Sequence, residues 1–395
     1  MRAVHPFPAR MAPDAVTKWL HQLKEGARVL DPMCGSGVVL RQSIQMGHEA
    51  IGYDIDPLAV LMSRVWTRNR KHIDLIGAAN EVVHIASARQ EGYLDLPWVA
   101  SCAETKQFIE YWFAEPQRSQ LARLVLTIQE MKLSQPEWLI DALYLSISKT
   151  IVTKIAGASL AWDVSHSRPH KKRESNDYNV SSGFFRSAER LVSSLDEINL
   201  THSAQVNNGD CRSMPDVVDQ SVDAVVTSPP YLNALDYLRG HKLSLVWMGY
   251  TIPELRGVRA TSVGTERTRQ GLATPENTTD VLAATVSEIA QLPKRQQAIV
   301  HRYAQDAALM LVEAKRVLTP NGRLVLVLAD SVVRGVEVSS SSIFGELAQR
   351  DGFKLIEKKL REIPHNRRYL PINSRNVALR NRMRSEIIQV FERAS

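Results

Sequence analysis

Hydrophobic and polar positions near the start of the chain follow helical and strand periods in turn. Apolar residues recur at i, i+3, i+4 and i+7 from Val16, which predicts an amphipathic helix over 16–23. Beyond it, short apolar runs and longer periodic stretches predict alternating strands and helices at 29–30, 38–46, 50–53 and 58–66. This succession, with a glycine-rich loop after the first strand, is typical of the opening of a doubly wound α/β domain.

A different pattern occupies residues 67–204, where helical periodicity dominates and a polar, basic stretch closes the region. The α/β pattern returns with an apolar strand that runs into a Pro-Pro turn at 222–231. Further helices and strands are predicted at 235–250, 281–292, 300–317, 322–331, 343–350 and 353–360. We therefore predict an α/β fold class, with a mostly parallel sheet flanked by helices and a large helical insertion.

These patterns predict three regions of the chain. Residues 1–66 and 205–357 form the α/β core, residues 67–204 form the helical insertion, and residues 358–395 form a basic C-terminal segment. The insertion and the arginine-rich tail are both candidates for recognising a target, and the sequence leaves open which of them does so.

The composition of the 395 residues, 44% hydrophobic and 23% charged, is ordinary for a globular protein and excludes disorder as the main state. No apolar run approaches the roughly 18 residues that a membrane span needs, and the N-terminus lacks the apolar stretch of a secretory signal. Three scattered cysteines exclude a disulfide framework, and the eleven histidines show no metal-ligand spacing, so we expect no metal site. We expect a cytoplasmic protein, associated with the nucleoid in a prokaryote.

Basic residues exceed acidic ones and give a net charge of +7 at pH 7, which favours a polyanionic partner. They cluster in three segments, near 168–173, near 256–269 and over 358–384. Phosphate contacts would explain this clustering, and a solvated charged surface is the alternative. The candidate nucleic-acid contacts are Arg168, Lys171, Lys172, Arg173, Arg256, Arg259, Arg367, Arg368 and Tyr369.

The first motif that carries chemistry is DPMCGSG, Asp31 to Gly37, after the first predicted strand. Its glycines let the backbone approach a ligand closely, and the helix that follows offers unpaired N–H groups at its N-terminus. The loop lacks both the three-glycine spacing of the dinucleotide fingerprint and the Gly-Lys-Ser/Thr of a phosphate loop. The carboxyl of Asp31 would repel a phosphate but would suit a cationic ligand.

The second motif is GYDIDP, which ends the next predicted strand with an acid. In nucleoside-binding folds an acid at this place accepts hydrogen bonds from ribose hydroxyls, which is our interpretation of Asp54. For Asp56, capping of the helix that begins at Pro57 is at least as good an interpretation.

The third motif is TSPPYL, Thr227 to Leu232. Its two prolines fix the backbone, so the carbonyls around Ser228 and Pro229 can accept hydrogen bonds from an exocyclic amino group. Such acceptors favour sp³ character in a nitrogen whose lone pair is otherwise delocalised into a base, and Tyr231 can stack on a flat ring. Alone the turn could be purely structural, but beside the other two motifs we interpret it as catalytic.

Together these motifs resemble those of the S-adenosylmethionine-dependent amino-methyltransferases of DNA. The resemblance covers roughly residues 1–66 and 205–357, and it implies a class I, Rossmann-like methyltransferase fold with S-adenosylmethionine as cofactor. HPFPARM resembles the segment that packs against the methionine end of the cofactor, and NGDCRSMP resembles the segment whose acid, Asp210, hydrogen-bonds the adenine amino group. The cofactor motifs precede the catalytic motif, which excludes the permuted class, while the long insertion before Asp210 departs from the usual layouts.

The resemblance also implies a set of site residues. The catalytic residues are Ser228, Pro229, Pro230 and Tyr231. The cofactor-binding residues are Phe7, Asp31, Pro32, Cys34, Gly35, Gly37, Asp54, Ile55, Asp210 and Cys211.

The first residue of the catalytic motif bears on the target atom. The family writes this motif as Ser-Pro-Pro-Tyr mostly for the N4 of cytosine and as Asp-Pro-Pro-Tyr mostly for the N6 of adenine, so Ser228 favours cytosine. The implied reaction is direct transfer to a base flipped out of duplex DNA, with no covalent enzyme intermediate. Methylation at cytosine C5 is disfavoured because it needs a thiolate, normally in a Pro-Cys pair, and no cysteine here follows a proline.

Several alternatives stay open at this point. The target could be the N6 of adenine, or a base in RNA, because the catalytic turn does not distinguish RNA from DNA. A methyltransferase of protein side-chain amides is disfavoured because that family prefers Asn-Pro-Pro-Tyr, and a binding module without turnover is disfavoured by the intact motifs. A restriction or defence-system partner is a further expectation, while the recognition sequence and the oligomeric state are left open.

Overall fold

The chain divides into two compact units. The computed structural model describes residues 3–7, 10–69, 73–153, 156–162, 169–195, 200, 202–232, 237–263, 278–363 and 385–394. The first unit, here the sheet unit, comprises Ala9–Ile55, Ala204–Ala234 and Ala260–Ser395. The second, here the helical unit, comprises Met1–Pro8, Asp56–Ser203 and Leu235–Arg259.

These boundaries differ from the predicted ones. Residues 1–8, 56–66 and 235–259, which the sequence pattern assigns to the α/β core, group with the helical unit instead. No helix in the described part of the chain is long and apolar enough to cross a membrane.

A mostly parallel sheet forms the framework of the sheet unit. The strands found in the described residues are β1 (Arg28–Asp31), β2 (Glu49–Asp54), β3 (Ala161–Trp162), β4 (His170–Lys171), β5 (Gln205–Asn208), β6 (Val222–Thr227), β7 (Leu318–Leu328), β8 (Ser331–Val333), β9 (Val336–Val338), β10 (Phe353–Glu362) and β11 (Ser385–Arg393). Seven of these described strands form one sheet in the order β10-β11-β7-β6-β1-β2-β5. Strand β11 runs antiparallel to both of its neighbours, and the pairs from β7 to β5 are all parallel.

Helices account for most of the remaining described structure. They are α1 (Thr17–Leu20), α2 (Val38–Gln45), α3 (Pro57–Thr67), α4 (Leu75–Ala88), α5 (Pro97–Ala100), α6 (Ala103–Trp112), α7 (Glu115–Met131), α8 (Glu137–Ile151), α9 (Val180–Leu195), α10 (Tyr237–Leu245), α11 (Ile252–Thr261), α12 (Thr278–Thr285), α13 (Lys294–Val317) and α14 (Ser340–Arg350). Helices α1, α2 and α12 to α14 belong to the sheet unit, whereas α3 to α10 and most of α11 belong to the helical unit.

The core of the sheet unit lies on both faces of the sheet, because successive side chains of a strand point to opposite faces. On β7, Leu324, Leu326 and Leu328 lie in one buried cluster, and Val325 and Val327 lie in the other. The first cluster includes residues of α12, α13 and α14, and the second includes residues of α1 and α2. Burying a side chain of this size stabilises the fold by roughly 1.5–3 kcal/mol. The predicted arrangement, a mostly parallel sheet flanked by helices, is therefore confirmed.

The helical unit is built around α8. Twelve of the fifteen residues of this helix are buried, as expected for a helix that is covered on nearly all sides. Helix α8 packs against α3, α7 and α9, and α4 packs against both α7 and α9.

Two elements differ from the sequence prediction. The helix predicted over 16–23 is only the single turn of α1, because the chain leaves the helix in i→i−3 turns at Gln22 and Leu23. The strand β11 was not predicted, since its apolar residues stand in two adjacent pairs, 387–388 and 390–391, at the end of the charged segment 358–395. That segment therefore begins inside β10 and ends in β11.

Candidate active site

Four motif loops meet at one edge of the sheet. Strands β6, β1, β2 and β5 are adjacent and parallel, so their carboxyl ends lie side by side. The chain passes from β1 outward to β2 and β5, and then crosses to β6 on the other side of β1. The order of strands thus reverses between β1 and β6, and open α/β sheets bind ligands at such a switch point.

The loop after β1 is the glycine loop of DPMCGSG. Gly35 and Gly37 have φ angles of 51° and 85°, a region that favours glycine, and Gly37 is the N-cap of α2. The amide of Gly37 donates to the carbonyl of Cys34 at 2.8 Å, and the amide of Cys34 donates to the carbonyl of Tyr53 at 2.9 Å. The loop is therefore fixed to the neighbouring strand β2.

A glycine in β2 allows this close contact. A Cβ atom at Gly52 would lie 2.5 Å from Cδ1 of Leu40 and 3.2 Å from Sγ of Cys34. Any larger residue at Gly52 would displace the glycine loop or helix α2, so the Gly-Tyr-Asp sequence positions the loop.

Asp54, at the end of β2, links the motif loops through hydrogen bonds. Its Oδ2 accepts the amide of Gly35 at 2.8 Å, and its backbone carbonyl accepts Nδ2 of Asn208 at 2.9 Å and the amide of Gly209 at 3.0 Å. Asp54 and Ile55 are both half-buried. Such a carboxylate, held beside an N–H-rich loop, has the surroundings expected of a ribose acceptor.

Asp56 has the capping role that the sequence left open. Its Oδ1 accepts the amide of Leu58 at 2.9 Å at the N-terminus of α3, and its Oδ2 lies 2.6 Å from Nδ1 of His241. Both contacts lie within the helical unit.

Asp31 ends β1 and is almost fully buried. Burial raises the pKa of its carboxyl to about 7, and the negative charge of Asp54 adds to that rise. The amide of Met33, which donates to Oδ1 at 3.2 Å, acts to lower the same pKa. A buried carboxyl that ionises near neutral pH gains most from a cation close by, so the residue suits a positively charged ligand. Pro32 and Cys34 beside it are also buried.

Asp210, after β5, forms a buried ionic cluster in the sheet unit. Its two carboxylate oxygens accept Nε and Nη2 of Arg212 at 2.8 Å each. The guanidinium of Arg212 is 3% exposed, and it also donates to Asp306 on α13 and to the carbonyl of Thr261. Oδ1 also accepts the backbone amide of Arg212 at 3.1 Å, so a further donor such as an amino group would have to approach Oδ2. The neighbouring thiol of Cys211 is buried, and burial raises its pKa, which fits packing and not reactivity.

The catalytic-motif loop follows β6 directly. Ser228 and Tyr231 are half-buried, with their hydroxyl oxygens 3.5 Å apart, while Pro229 is buried. The hydroxyl of Ser331, at the start of β8, donates to the carbonyl of Leu232 at 2.8 Å and thereby anchors the end of the loop. The hydroxyl oxygens of Ser228 and Tyr231 thus lie close together in this loop.

A buried acid beside this loop was not predicted from the sequence. Glu386 stands near the start of β11, opposite Arg361 in the register with β10, and the two side chains form an ion pair at 2.7 Å. Arg361 also pairs with Asp14 at 2.7 Å, and the hydroxyl of Tyr231 acts weakly to lower the pKa of the Glu386 carboxyl. Burial raises the pKa of the Glu386 carboxyl, and Arg361 opposes that shift. The residues of β11 do not alternate regularly between apolar and polar, so no period-two signal indicated that Glu386 would lie in the sheet.

Phe7 lies in the helical unit and not in the sheet unit. Its ring stacks on Tyr237 with centroids 5.2 Å apart and an interplanar angle of 11°. Nearby, Nε2 of His5 lies 2.9 Å from the hydroxyl of Ser148 on α8. The predicted contact of Phe7 with the cofactor stays a prediction.

The predicted nucleic-acid contacts have mixed surroundings. Lys171 pairs with Glu174 at 2.7 Å, Nζ of Lys172 lies 3.9 Å from the ring centre of Trp162, and Arg256 pairs with Glu104. Two further candidates, Arg173 and Arg259, are half-buried and exposed respectively. The remaining candidates, Arg168, Arg367, Arg368 and Tyr369, lie outside the described residues.

The fold and the four loops place this chain in the class I, Rossmann-like methyltransferase fold class. No family model matches the sequence. Among curated proteins, the chain is 23% identical over 398 aligned residues to the type II methyltransferase M.MvaI of Kocuria varians, covering 92% of this chain and 84% of that one. It is 24% identical over 273 residues to the type II methyltransferase M.BsoBI of Geobacillus stearothermophilus, covering 60% of this chain and 50% of that one. The chain is thus distantly homologous to type II methyltransferases and spans half the length of M.BsoBI.

Solved structures give weaker likenesses. One is an S-adenosylmethionine-dependent methyltransferase from Methanosarcina mazei, 9% identical, covering 95% of each chain with a TM-score of 0.34. Another is a TehB-like S-adenosylmethionine-dependent methyltransferase from Corynebacterium glutamicum, 10% identical, covering 97% of this chain and 89% of that one with a TM-score of 0.31. Among the described residues, no group of three or more His, Cys, Asp or Glu side chains is placed to hold a metal ion.

Proposed function

We propose that this chain transfers a methyl group from S-adenosylmethionine to the exocyclic N4 of cytosine in duplex DNA. The observation that carries the proposal is the position of the Ser-Pro-Pro-Tyr loop and the glycine loop. They follow the adjacent parallel strands β6 and β1, on the two sides of the switch point of the sheet. The distant homology to two type II methyltransferases supports the same reaction class.

The loops of the sheet unit fit the cofactor. Asp54 accepts the ribose hydroxyls, Asp210 accepts the adenine amino group, and the backbone of Gly35 and Gly37 makes room for the ligand between them. Asp31 supplies a negative charge in a buried setting, which suits a sulfonium. When bound, the cofactor supplies an electrophilic methyl group, which is attached to its positively charged sulfur.

The catalytic loop prepares the nucleophile. The hydroxyl of Ser228 and the carbonyl of Pro229 accept hydrogen bonds from the target amino group, which withdraws the nitrogen lone pair from the ring. Tyr231 stacks on the flipped base, while its hydroxyl lies 3.5 Å from that of Ser228. The target nitrogen would form a bond to the methyl carbon while the carbon–sulfur bond breaks, so that the electron pair stays on sulfur and a neutral thioether leaves. The nitrogen would then release one proton to solvent. Positioning and electrostatics provide most of the acceleration.

Three features support cytosine in DNA as the target. Serine stands first in the catalytic motif, where an aspartate would favour adenine. The net charge of +7 and the basic segments suit a polyanion. The predicted contacts Lys171, Lys172, Arg173, Arg256 and Arg259 belong to the helical unit, so we propose that this unit holds the DNA backbone.

Identification of the product tests this proposal. Purified protein is incubated with labelled S-adenosylmethionine and mixed-sequence duplex DNA, and the digested nucleosides are separated by mass spectrometry. N4-methylcytosine is the expected product. N6-methyladenine would keep the fold and the mechanism but overturn the choice of base, and label found only in RNA or protein would overturn the choice of substrate.

A further inference from the structure

A second candidate site lies within the helical unit, away from any motif that the sequence indicates. An open pocket of about 310 Å³ lies beside α8 and α9. A pocket of this size is at the lower end of the range for small-molecule sites. Its described lining residues are Lys149, Thr153, Ala156, Tyr178, Gly183, Arg186, Ser187 and Arg190.

The charge of this basic pocket is entirely positive. Lys149 comes from α8, and Arg186 and Arg190 stand four residues apart on one face of α9. None of the described lining residues is acidic. Burial and then the charge of Arg190 lower the pKa of the Lys149 ammonium to about 8, so these cations repel one another in the absence of an anion.

The base of the pocket carries a polar group that lacks a partner. Ser187 is only 5% exposed, and among the described residues its hydroxyl has no hydrogen-bond partner. The hydroxyl of Thr153 is also buried without a partner in the described structure. Buried polar groups are nearly always satisfied, so two unsatisfied hydroxyls in one basic pocket indicate a missing acceptor.

The shape of the pocket depends on a glycine. A Cβ atom at Gly183 would collide with the hydroxyl of Tyr178, so only glycine lets this ring close the side of the pocket. Burial raises the pKa of the Tyr178 hydroxyl, and the positive charge of Arg186 acts to lower it. The wall is therefore built from packed side chains and not from loosely held surface residues.

We propose that the basic pocket binds a phosphate group, through Lys149, Arg186 and Arg190 as the cationic partners and Ser187 as a hydrogen-bond donor at the base. A phosphate offers more acceptor oxygens and more negative charge than a carboxylate, and two arginines with one lysine match that demand. The phosphate can belong to the backbone of a nucleic acid or to a free phosphorylated metabolite, and the same side chains serve either source.

The first test is a titration of the full chain by calorimetry at low ionic strength, with inorganic phosphate and ribose 5-phosphate as probes. Saturable binding at one site is expected. The double variant Arg186→Gln/Arg190→Gln, whose two residues are exposed, should lose about tenfold or more in affinity, as for lost charge-assisted hydrogen bonds. The matched control Lys106→Gln/Lys132→Gln removes two exposed charges elsewhere in the helical unit and should change the affinity by less than about twofold.

A second variant separates binding from stability. Ser187→Ala removes a buried, unsatisfied hydroxyl, so the melting temperature should stay or rise while the affinity for ribose 5-phosphate falls several-fold. A fall in melting temperature with unchanged affinity would contradict the role given to Ser187.

Duplex DNA distinguishes the two sources. If the pocket takes a backbone phosphate, the Arg186/Arg190 variant weakens binding of a labelled duplex more than the control does, and ribose 5-phosphate competes with the duplex. If it takes a free metabolite, only the small phosphates are affected. The proposal is overturned if the wild-type chain binds none of the three probes saturably, or if both double variants lose affinity equally. None of these measurements involves methyl transfer, so this proposal and the proposed function fail separately.

Discussion

The sheet unit and the helical unit carry candidate sites of opposite charge. Around the carboxyl edge of the sheet, the acids Asp31, Asp54 and Asp210 are buried or half-buried, and Asp210 is paired with the buried cation Arg212. The basic pocket of the helical unit has only cations among its described charged lining residues. A sulfonium needs negative surroundings and a phosphate group needs positive ones. The proposed roles follow this difference: methyl transfer in the sheet unit, and binding of a polyanion in the helical unit.

The catalytic loop gives the sharpest test of the sheet unit. Ser228→Ala should lower the methyl-transfer rate by about a hundredfold or more, the usual cost of losing one polarising hydrogen bond. Cofactor affinity, measured by calorimetry, should change by less than about twofold. Ser221→Ala, at the other end of β6, is the control, because its hydroxyl only caps a turn at Val218. Equal losses of turnover and cofactor affinity would contradict the catalytic role assigned to Ser228.

Asp54, the acid at the end of β2, should affect cofactor binding, whereas Ser228 should affect the rate of methyl transfer. Asp54→Ala loses a carboxylate that also holds Gly35, so we expect cofactor affinity to fall by about 10- to 100-fold. Calorimetric titration with S-adenosylmethionine measures this effect, with Asp216→Ala as an exposed control. Unchanged affinity in Asp54→Ala would remove Asp54 from the cofactor site.

The raised pKa of Asp31 predicts a pH dependence that only a cationic ligand should show. The carboxyl is neutral below pH 7 and charged above it. Affinity for S-adenosylmethionine should therefore rise by about three- to tenfold between pH 6 and pH 8, while affinity for the product S-adenosylhomocysteine, whose sulfur carries no charge, stays nearly constant. In Asp31→Asn this difference should vanish. A parallel pH dependence for both ligands would contradict the placement of Asp31 near the sulfonium.

The same shift has a consequence for stability. The pKa of Asp31 is raised from 3.8 to about 7, so between these values the folded protein keeps a proton that the unfolded chain has lost. The contribution of this group to stability is full below pH 3.8 and is lost as the pH rises to about 7. Asp31→Asn should therefore flatten the decline of the melting temperature between pH 5 and pH 8.

The buried acid on β11 predicts a smaller effect. Glu386→Gln keeps the size of the side chain but weakens its interactions with Arg361 and Tyr231, so kcat should fall by about three- to tenfold with little change in the KM for the cofactor. The control is Glu392→Gln on the same strand, opposite Lys354. If kcat is unchanged while stability falls, Glu386 serves only the sheet.

The smallest effect is expected in the helical unit. Lys171→Gln/Lys172→Gln should weaken binding of a duplex about threefold. The loss of one to two phosphate contacts should also reduce the slope of log K against log salt concentration by roughly 1–2. Cofactor affinity should not change. Fluorescence anisotropy over a range of salt concentrations checks this, and an unchanged slope would assign these lysines to a solvated surface.

The sequence predicts those parts of the fold that local patterns determine. Strands β1, β2 and β6 each precede a motif with glycine, acid or proline at fixed spacing, and these local motifs are enough to define the candidate site. What the patterns miss depends on contacts between distant segments. Nothing near Glu386 indicates Tyr231, and nothing near Lys149 indicates the two arginines of α9. The predicted boundaries of the regions stay a prediction, because α3 and α10 have the same helical period whichever unit they pack in.

The place of β11 in the sheet bears on how the protein is made. Among the described strands, β10 joins the sheet only through β11, which follows it in the chain and lies between β10 and β7. During synthesis the outer edge of β7 therefore remains unpaired until about 60 more residues have been added. At the usual speed of translation this takes roughly 3–12 s. An open edge of apolar residues is a site for pairing with other chains. Yield in a cell should accordingly depend on chaperone capacity and on growth temperature more than the stability of the finished fold would indicate.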